Sequence, residues 1–277
     1  MVNILLPKKV NTDGIVIEKA KSMREGGGIL SAKIGYDSNK SGEADRFIIQ
    51  TPKLKCPFGI NNDEKFGDGT KWDIRLSFQG EERNVKIKQF RDCMTNINDK
   101  IISTCVERSK EWLNDEDIDK KMASKFFKSS IKASKKEDFS DMFRIAIPFS
   151  RDEETGEQHP RKWIEFYSED NTVLEWSPNA VSRGSEVICL FEINGVWASP
   201  GTTQYGLSVK LVQLKVFKPK QLIGLQILND EDDDENQDED SIQDEVEEKK
   251  LIVEDDEDED EEVQDEDEDE EEVDELE

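Results

Sequence analysis

Near the start of the chain, three stretches alternate apolar and polar residues with a period of two. In GILSAKIGYD (28–37), Leu30, Ala32, Ile34 and Tyr36 share one face and Ser31 and Lys33 the other. RFIIQTPKLK (46–55) comes next, and KWDIRLSF (71–78) then sets Trp72, Ile74, Leu76 and Phe78 inward against Asp73, Arg75 and Ser77. Such alternation marks strands, and the Gly, Asn and Pro residues between the runs supply turns. The period then changes. Phe90, Cys93, Met94, Ile97, Ile101, Cys105 and Trp112 recur every three to four residues, which predicts an amphipathic helix over about 85–113. A second helix is expected from the Asn114/Asp115 cap, carrying Ile118, Met122 and Phe126 toward the core. Its other face holds Lys121, Lys125 and Lys128, and Lys132 and Lys135 extend this basic stripe if the helix runs on.

Period-two signals return in MFRIAIPF (142–149), with Phe143, Ile145, Ile147 and Phe149 in alternation. RDEETGEQHPRK (151–162) reads as a long polar loop, followed by the strands WIEFY (163–167) and NTVLEW (171–176). EVICLFEINGVW (186–197) and QYGLSVKLVQLKVF (204–217) carry the strongest signals. In the last, Leu207, Val209 and Leu211 share a face, but Val212, Leu214 and Val216 then take over that role. This slip of phase predicts a β-bulge near Leu211/Val212. The expected class is mainly β within α+β: a curled antiparallel sheet with a helical insertion at about 85–135. A partly open Greek-key barrel of the oligonucleotide-binding (OB) type fits, and so does a less regular α+β sheet.

Charge divides the chain in two. Residues 230–277 hold 33 acidic residues against Lys249 and Lys250, a net of −31, whereas the whole chain of 277 residues carries −28, so the first 229 are left at +3. A like-charged run with so few apolar residues cannot bury enough surface to offset the entropy of ordering, and is expected to be a disordered acidic tail. The expected organisation is therefore an N-terminal arm (1–27), a folded domain (28–220) and the tail (221–277). Within the tail, KKLIVEDDEDE (249–259) is an apolar island that could add as a strand to a partner's sheet edge.

No apolar run is long enough for a signal peptide or a membrane span, so a soluble cytosolic or nuclear protein without membrane association is expected. Cys56, Cys93, Cys105 and Cys189 lie 37, 12 and 84 residues apart, without the paired spacing of a zinc site, and read as reduced core thiols. The single histidine, His159, stands in a charged loop and offers no catalytic base. There is no phosphate-binding glycine loop and no nucleophile elbow; the glycines of REGGGIL (24–30) precede a strand and read as a turn. No enzyme activity, metal or cofactor is expected.

A basic and aromatic constellation remains. Lys53, Lys55, Lys71 and Arg75 cluster on two neighbouring strands; Arg161, Lys162 and Trp163 sit at a strand entrance; Tyr205, Lys210 and Lys215 lie on the final strand. Cations that track phosphates, interleaved with rings on which bases stack, are what single-strand binding requires. Trp163 and Tyr205, with Phe47, are the stacking candidates.

GVWASPGTTQYGLSVKLVQLKVFKP (195–219) resembles the end of the OB domain in single-stranded DNA-binding proteins of nucleocytoplasmic large DNA viruses. The overall plan over roughly 28–220 is also similar to that of phage replication single-stranded DNA-binding proteins, which carry a detachable acidic C-terminal arm. Phage arms often finish in an aromatic residue, whereas this chain ends VDELE. The resemblance implies a non-enzymatic protein that coats single-stranded DNA during viral replication, recombination or repair. It also implies a tail that competes with DNA for the basic groove or docks replication or recombination proteins. A dimer is one option for its assembly. The competing expectation is an acidic-tailed chaperone or virion protein that binds basic proteins through the arm.

Overall fold

The computed structural model describes residues 3–23, 28–62, 71–136, 139–152 and 155–219, which belong to a unit spanning Met1–Leu222. The acidic tail, its apolar island and Arg24–Gly27 of the glycine turn lie outside the described residues.

The chain enters through β1 (Ile4–Leu5), β2 (Ile15–Ile17) and β3 (Lys21–Ser22) and reaches β4 (Leu30–Tyr36). β5 (Ile48–Gln50), β6 (Leu54–Cys56), β7 (Ile60–Asn62) and β8 (Trp72–Ser77) follow. The N-terminal residues, expected as an arm, are paired into the fold: β1 runs parallel to β5, and β2 and β3 run antiparallel to β4. The single run expected over 46–55 is two strands. Pro52 lies between them, and proline has no N–H to donate to a ladder.

The helical insertion holds α1 (Val85–Glu107), α2 (Ser109–Leu113) and α3 (Lys120–Phe126). α1 starts at Asn84, whose side chain accepts from the Lys86 N–H. The helix expected to reach residue 113 breaks at Arg108, whose guanidinium donates to the backbone oxygens of Ile17 and Glu18 and so pulls the turn toward β2. α3 begins later than expected, at Asp119, which accepts from the Met122 N–H. It ends at Phe126, and the chain continues into β9 (Phe127–Lys128), β10 (Ile131–Lys132) and β11 (Met142–Ile147). The basic stripe is therefore not one helix face: Lys121 and Lys125 are helical, whereas Lys128 and Lys132 lie on strands.

β12 (Phe149–Arg151) and β13 (Gln158–Pro160) pair as a separate ribbon, so the expected polar loop is a hairpin at its base. β14 (Glu165–Tyr167), β15 (Val173–Leu174), β16 (Ser185–Ser199) and β17 (Gln204–Phe217) complete the order. The pairings β16–β17, β17–β11, β11–β8, β8–β6 and β6–β16 close on themselves. Two of these links are single residue pairs, Ala146↔Lys210 and Lys55↔Ser77, so the sheet curls round without making a regular barrel. α1 plugs its inside. Phe90 meets Phe143 edge-on at 5.1 Å and approaches Phe191 at 6.0 Å and Phe78 at 5.8 Å.

β16 and β17 each carry an extra residue. Leu190 pairs with Gln213 and Phe191 with Leu211, which leaves Val212 unmatched, as the phase slip predicts. Ile193 pairs with Val209 and Gly195 with Ser208, leaving Asn194 unmatched, a second bulge that the alternation does not reveal. Each bulge inverts the side-chain alternation beyond it. Lys210 and Lys215, an odd number of positions apart, thereby share the outer face, and Trp197 joins Asn194 there.

Candidate nucleic-acid interface

β8, β11 and β17 turn their inner faces to the core through Ile74, Leu76, Phe143, Ile145 and Leu211, all fully buried. Their outer faces carry cations. Arg75 and Arg144 are direct cross-strand partners on β8 and β11, and Lys210 on β17 pairs with Ala146 on β11. The β9–β10 turn brings in two more. β9 pairs with β17 through Gly206↔Lys128 and β10 with β11 through Lys132↔Met142, which sets both lysines at the rim of the same sheet. A concavity of about 250 Å³ lies between them, lined by Lys128, Ser129, Ser130, Lys132, Arg144, Ala146, Trp197, Leu207, Ser208 and Val209.

The electrostatics are those of an underpaired cationic cluster. The Lys132 ammonium is pushed below its ordinary pKa, first by partial burial and then by Arg144, Lys128 and Arg75. Asp73 is the one carboxylate in contact with these arginines among the described residues, 2.6 Å from Arg144 Nε and 3.4 Å from Arg75 Nε. At the neighbouring bulge, Asn194 donates through its side-chain nitrogen to Ser208 O and Oγ, and its side-chain oxygen accepts from Lys210 Nζ at 3.1 Å.

Trp197 is half-buried and forms one wall. Its indole lies against Gly206, where an added Cβ would stand 3.1 Å from the ring and 2.7 Å from the Lys128 backbone oxygen. Only a residue without a side chain lets the tryptophan and the β9 backbone approach this closely. Trp197 is absent from the sequence candidates. The unseen bulge at Asn194 is the reason, since uninterrupted alternation would give Trp197 and Asn194 opposite faces.

The structure separates the sequence candidates. Arg75 and Lys210 lie beside the concavity without lining it, Arg75 across from Arg144 and Lys210 across from Ala146. Tyr205 does not stack bases in this fold: it is fully buried between Trp112 and Phe127, and its hydroxyl donates to the Ala123 backbone oxygen at 2.9 Å. Phe47 is equally enclosed, stacked on Tyr36 at 4.9 Å. Trp72, expected inward, is half-buried, stacked on Phe149 and donating to Gln158 Oε1.

The other cations lie elsewhere. Lys53 is ion-paired with Glu186 at 2.7 Å and sits 4.1 Å over the Phe217 ring. Lys215 donates to Asn171 Oδ1 at 2.7 Å, beside a second depression of about 340 Å³ that includes Tyr167 and Gln50. Lys55 is exposed in the middle of β6 and Lys71 just before β8, and Arg161, Lys162 and Trp163 are exposed after the β12–β13 ribbon.

Little else in the described residues suggests chemistry. The four cysteines are buried and unpaired, and burial raises their thiols, to about 11 at Cys56 and Cys105 and about 12 at Cys93. His159 is exposed, 3.4 Å from Glu157. Among the described residues no cluster of metal-ligating side chains occurs, and no helix is long and apolar enough to cross a membrane.

No family model and no curated protein matches the sequence. Among solved structures, the chain is similar to the single-stranded DNA-binding protein encoded by bacteriophage T7, at a TM-score of 0.40 and 12% identity over 65% of this chain and 91% of that one. It is similar also to the single-stranded DNA-binding protein from bacteriophage Enc34, at a TM-score of 0.37 and 15% identity over 77% of this chain and 96% of that one. The Enc34 protein in complex with single-stranded DNA matches at a TM-score of 0.38 and 14% identity, over 75% and 98% of the two chains.

Proposed function

We propose that the chain is a non-enzymatic single-stranded DNA-binding protein that coats DNA in viral replication, recombination or repair. The observation that carries this reading is the groove itself: Lys128, Lys132 and Arg144 line one concavity walled by Trp197, and Arg75 and Lys210 stand next to it as cross-strand partners of Arg144 and Ala146. It stands on that groove and not on the phage likenesses, whose TM-scores are 0.40 or lower. Underpaired cations in a concave site call for a polyanion, and the indole adds a surface for one base at a time. A duplex hides its base faces in the stack, so only an unpaired strand offers one to Trp197. The acidic segment 230–277, net −31, acts in this reading as a tethered competitor for the same cations at roughly millimolar effective concentration, and as a dock for basic regions of replication or recombination proteins.

Fluorescence anisotropy of a labelled single-stranded oligonucleotide with the full chain is the test. Log affinity should fall with log salt at about 0.7 per phosphate contact, so a groove using four or five contacts gives a slope of roughly −3. Deleting residues 230–277 should tighten binding at low salt, with a gain that shrinks as the Debye length drops from about 10 Å at 0.1 M to 3 Å at 1 M. Absence of oligonucleotide binding by both forms would overturn the reading and favour an arm that binds basic proteins.

A further inference from the structure

Arg75 and Arg144 face each other directly across β8 and β11. Like charges in that position repel and destabilise a sheet. Asp73 stands two residues before Arg75 on the same face and, at 6% exposure, is almost wholly buried. Its Oδ2 accepts from Arg144 Nε at 2.6 Å, while Oδ1 lies 3.4 Å from Arg75 Nε and has no hydrogen bond of its own. The carboxylate therefore anchors Arg144 by its inner nitrogen and faces that of Arg75 in a looser ion pair. Among the described residues no acceptor engages their outer Nη groups, and both side chains stay more than two-fifths exposed, at 47% and 43%.

Resting on the single-strand reading, we infer that Asp73 is a positioning residue that fixes Arg75 and Arg144 side by side with their Nη edges turned out to one phosphate of the strand. The planar fork of arginine permits this division of labour. One nitrogen is anchored inward while two others stay free for a phosphate, which an ammonium at the end of a flexible stem cannot do. The underused Oδ1 fits a site completed by a ligand: drawing Arg75 toward a phosphate would reorient its Nε without breaking a formed hydrogen bond.

The sign of one substitution separates this from plain charge cancellation. Asp73→Asn removes a negative charge from a basic groove, so cancellation alone predicts equal or tighter DNA binding, with any harm confined to stability. Positioning predicts weaker binding. With the full chain and a labelled oligo-dT strand, measured well below the Tm of each variant, we expect about a tenfold loss, equivalent to about 1.4 kcal/mol. The salt slope should become shallower by about 0.7, one phosphate contact. In an Arg75→Ala/Arg144→Ala background the same substitution should cost nothing, since no fork is left to aim. Equal or tighter binding by Asp73→Asn, or the same loss in both backgrounds, would overturn the inference.

A readout without DNA keeps the two proposals apart. The wild-type Arg144 Nε–Hε NMR signal should be protected from exchange, and the protection should be lost in Asp73→Asn. If the wild-type signal is unprotected, the positioning role falls even where DNA binds. If it is protected but no oligonucleotide binds, the single-strand reading falls and the anchored Arg144 stands.

Discussion

Gly206→Ala adds one methyl group and no charge, and it tests whether the groove depends on close packing between β17, β9 and Trp197. The new Cβ would stand 2.7 Å from the Lys128 backbone oxygen and 3.1 Å from Trp197 Cζ2 and Nε1. Ordinary van der Waals contact begins several tenths of an ångström further out, and the first of these neighbours is backbone that cannot rotate away. Relief requires β9 to lift off β17 or the indole to tilt, and overpacking of this kind costs about 1–3 kcal/mol. For a folded unit of this size each kcal/mol lowers Tm by about 2–4 °C, so thermal unfolding should shift down by roughly 2–12 °C. Lys128 moves with β9 and Trp197 with the indole. Affinity for single-stranded DNA should therefore drop together with Tm, and the intrinsic tryptophan emission should change in the absence of DNA. An alanine variant with unchanged Tm, emission and affinity would show that Trp197 does not pack on Gly206 as described.

Trp197→Ala should weaken single-strand binding by about 5- to 150-fold, the loss of one stacked base at about 1–3 kcal/mol, as read by anisotropy. Tyr205→Phe should leave that affinity unchanged while lowering Tm, since it removes only a buried hydrogen bond to Ala123 O worth about 1 kcal/mol or somewhat more. Lys132→Met should raise Tm yet weaken DNA binding several-fold, because folding places the ammonium among like charges. The sign follows from the depressed pKa. The charged form is penalised fully below the folded pKa, and the penalty disappears as pH rises toward the ordinary 10.5, so wild type should gain stability relative to Lys132→Met across that alkaline window.

The strands of the sheet are legible because their inner faces repeat every two residues without exception over short spans. Ala32, Ile34 and Tyr36, or Phe143, Ile145 and Ile147, are buried as their spacing requires. The bulge at Val212 is legible for the same reason, since a long strand whose apolar phase slips can keep one face inward only by adding a residue. The bulge at Asn194 is not. It falls in EINGVWAS, where Gly195 and Ala198 blur the contrast between the two faces. The spacing of Lys128 and Lys132 suggests a helix, because lysines four residues apart are compatible with one until the pairing of β9 with β17 and β10 with β11 ends it. Those pairings join residues far apart in sequence, and no local pattern announces them. The burial of Tyr205 is hidden for a related reason. The start of β17 faces α2 and α3, whose packing against the sheet covers what would otherwise be an open edge.

The two bulges also account for how a mostly neutral body concentrates charge. With the first 229 residues near +3, an even spread of charge would leave no point on the surface strongly attractive to phosphate. Strict alternation along β16 and β17 would turn Lys215 or Lys210, and Trp197 or Asn194, into the core, where a charged side chain could not stay. The extra residues at Val212 and Asn194 let each long strand keep an apolar inner face along its whole length, with Val196, Ala198, Leu214 and Val216 buried. The outer faces then keep their polar and aromatic residues together. Each bulge leaves a local gap in the ladder, and the Asn194 gap is filled by its own amide contacts to Ser208 and Lys210. A side chain that repairs the backbone irregularity thus also fixes Lys210 beside the groove. It follows that stability and DNA affinity should be coupled at position 194 and independent at Trp163, which lies exposed beyond the ribbon.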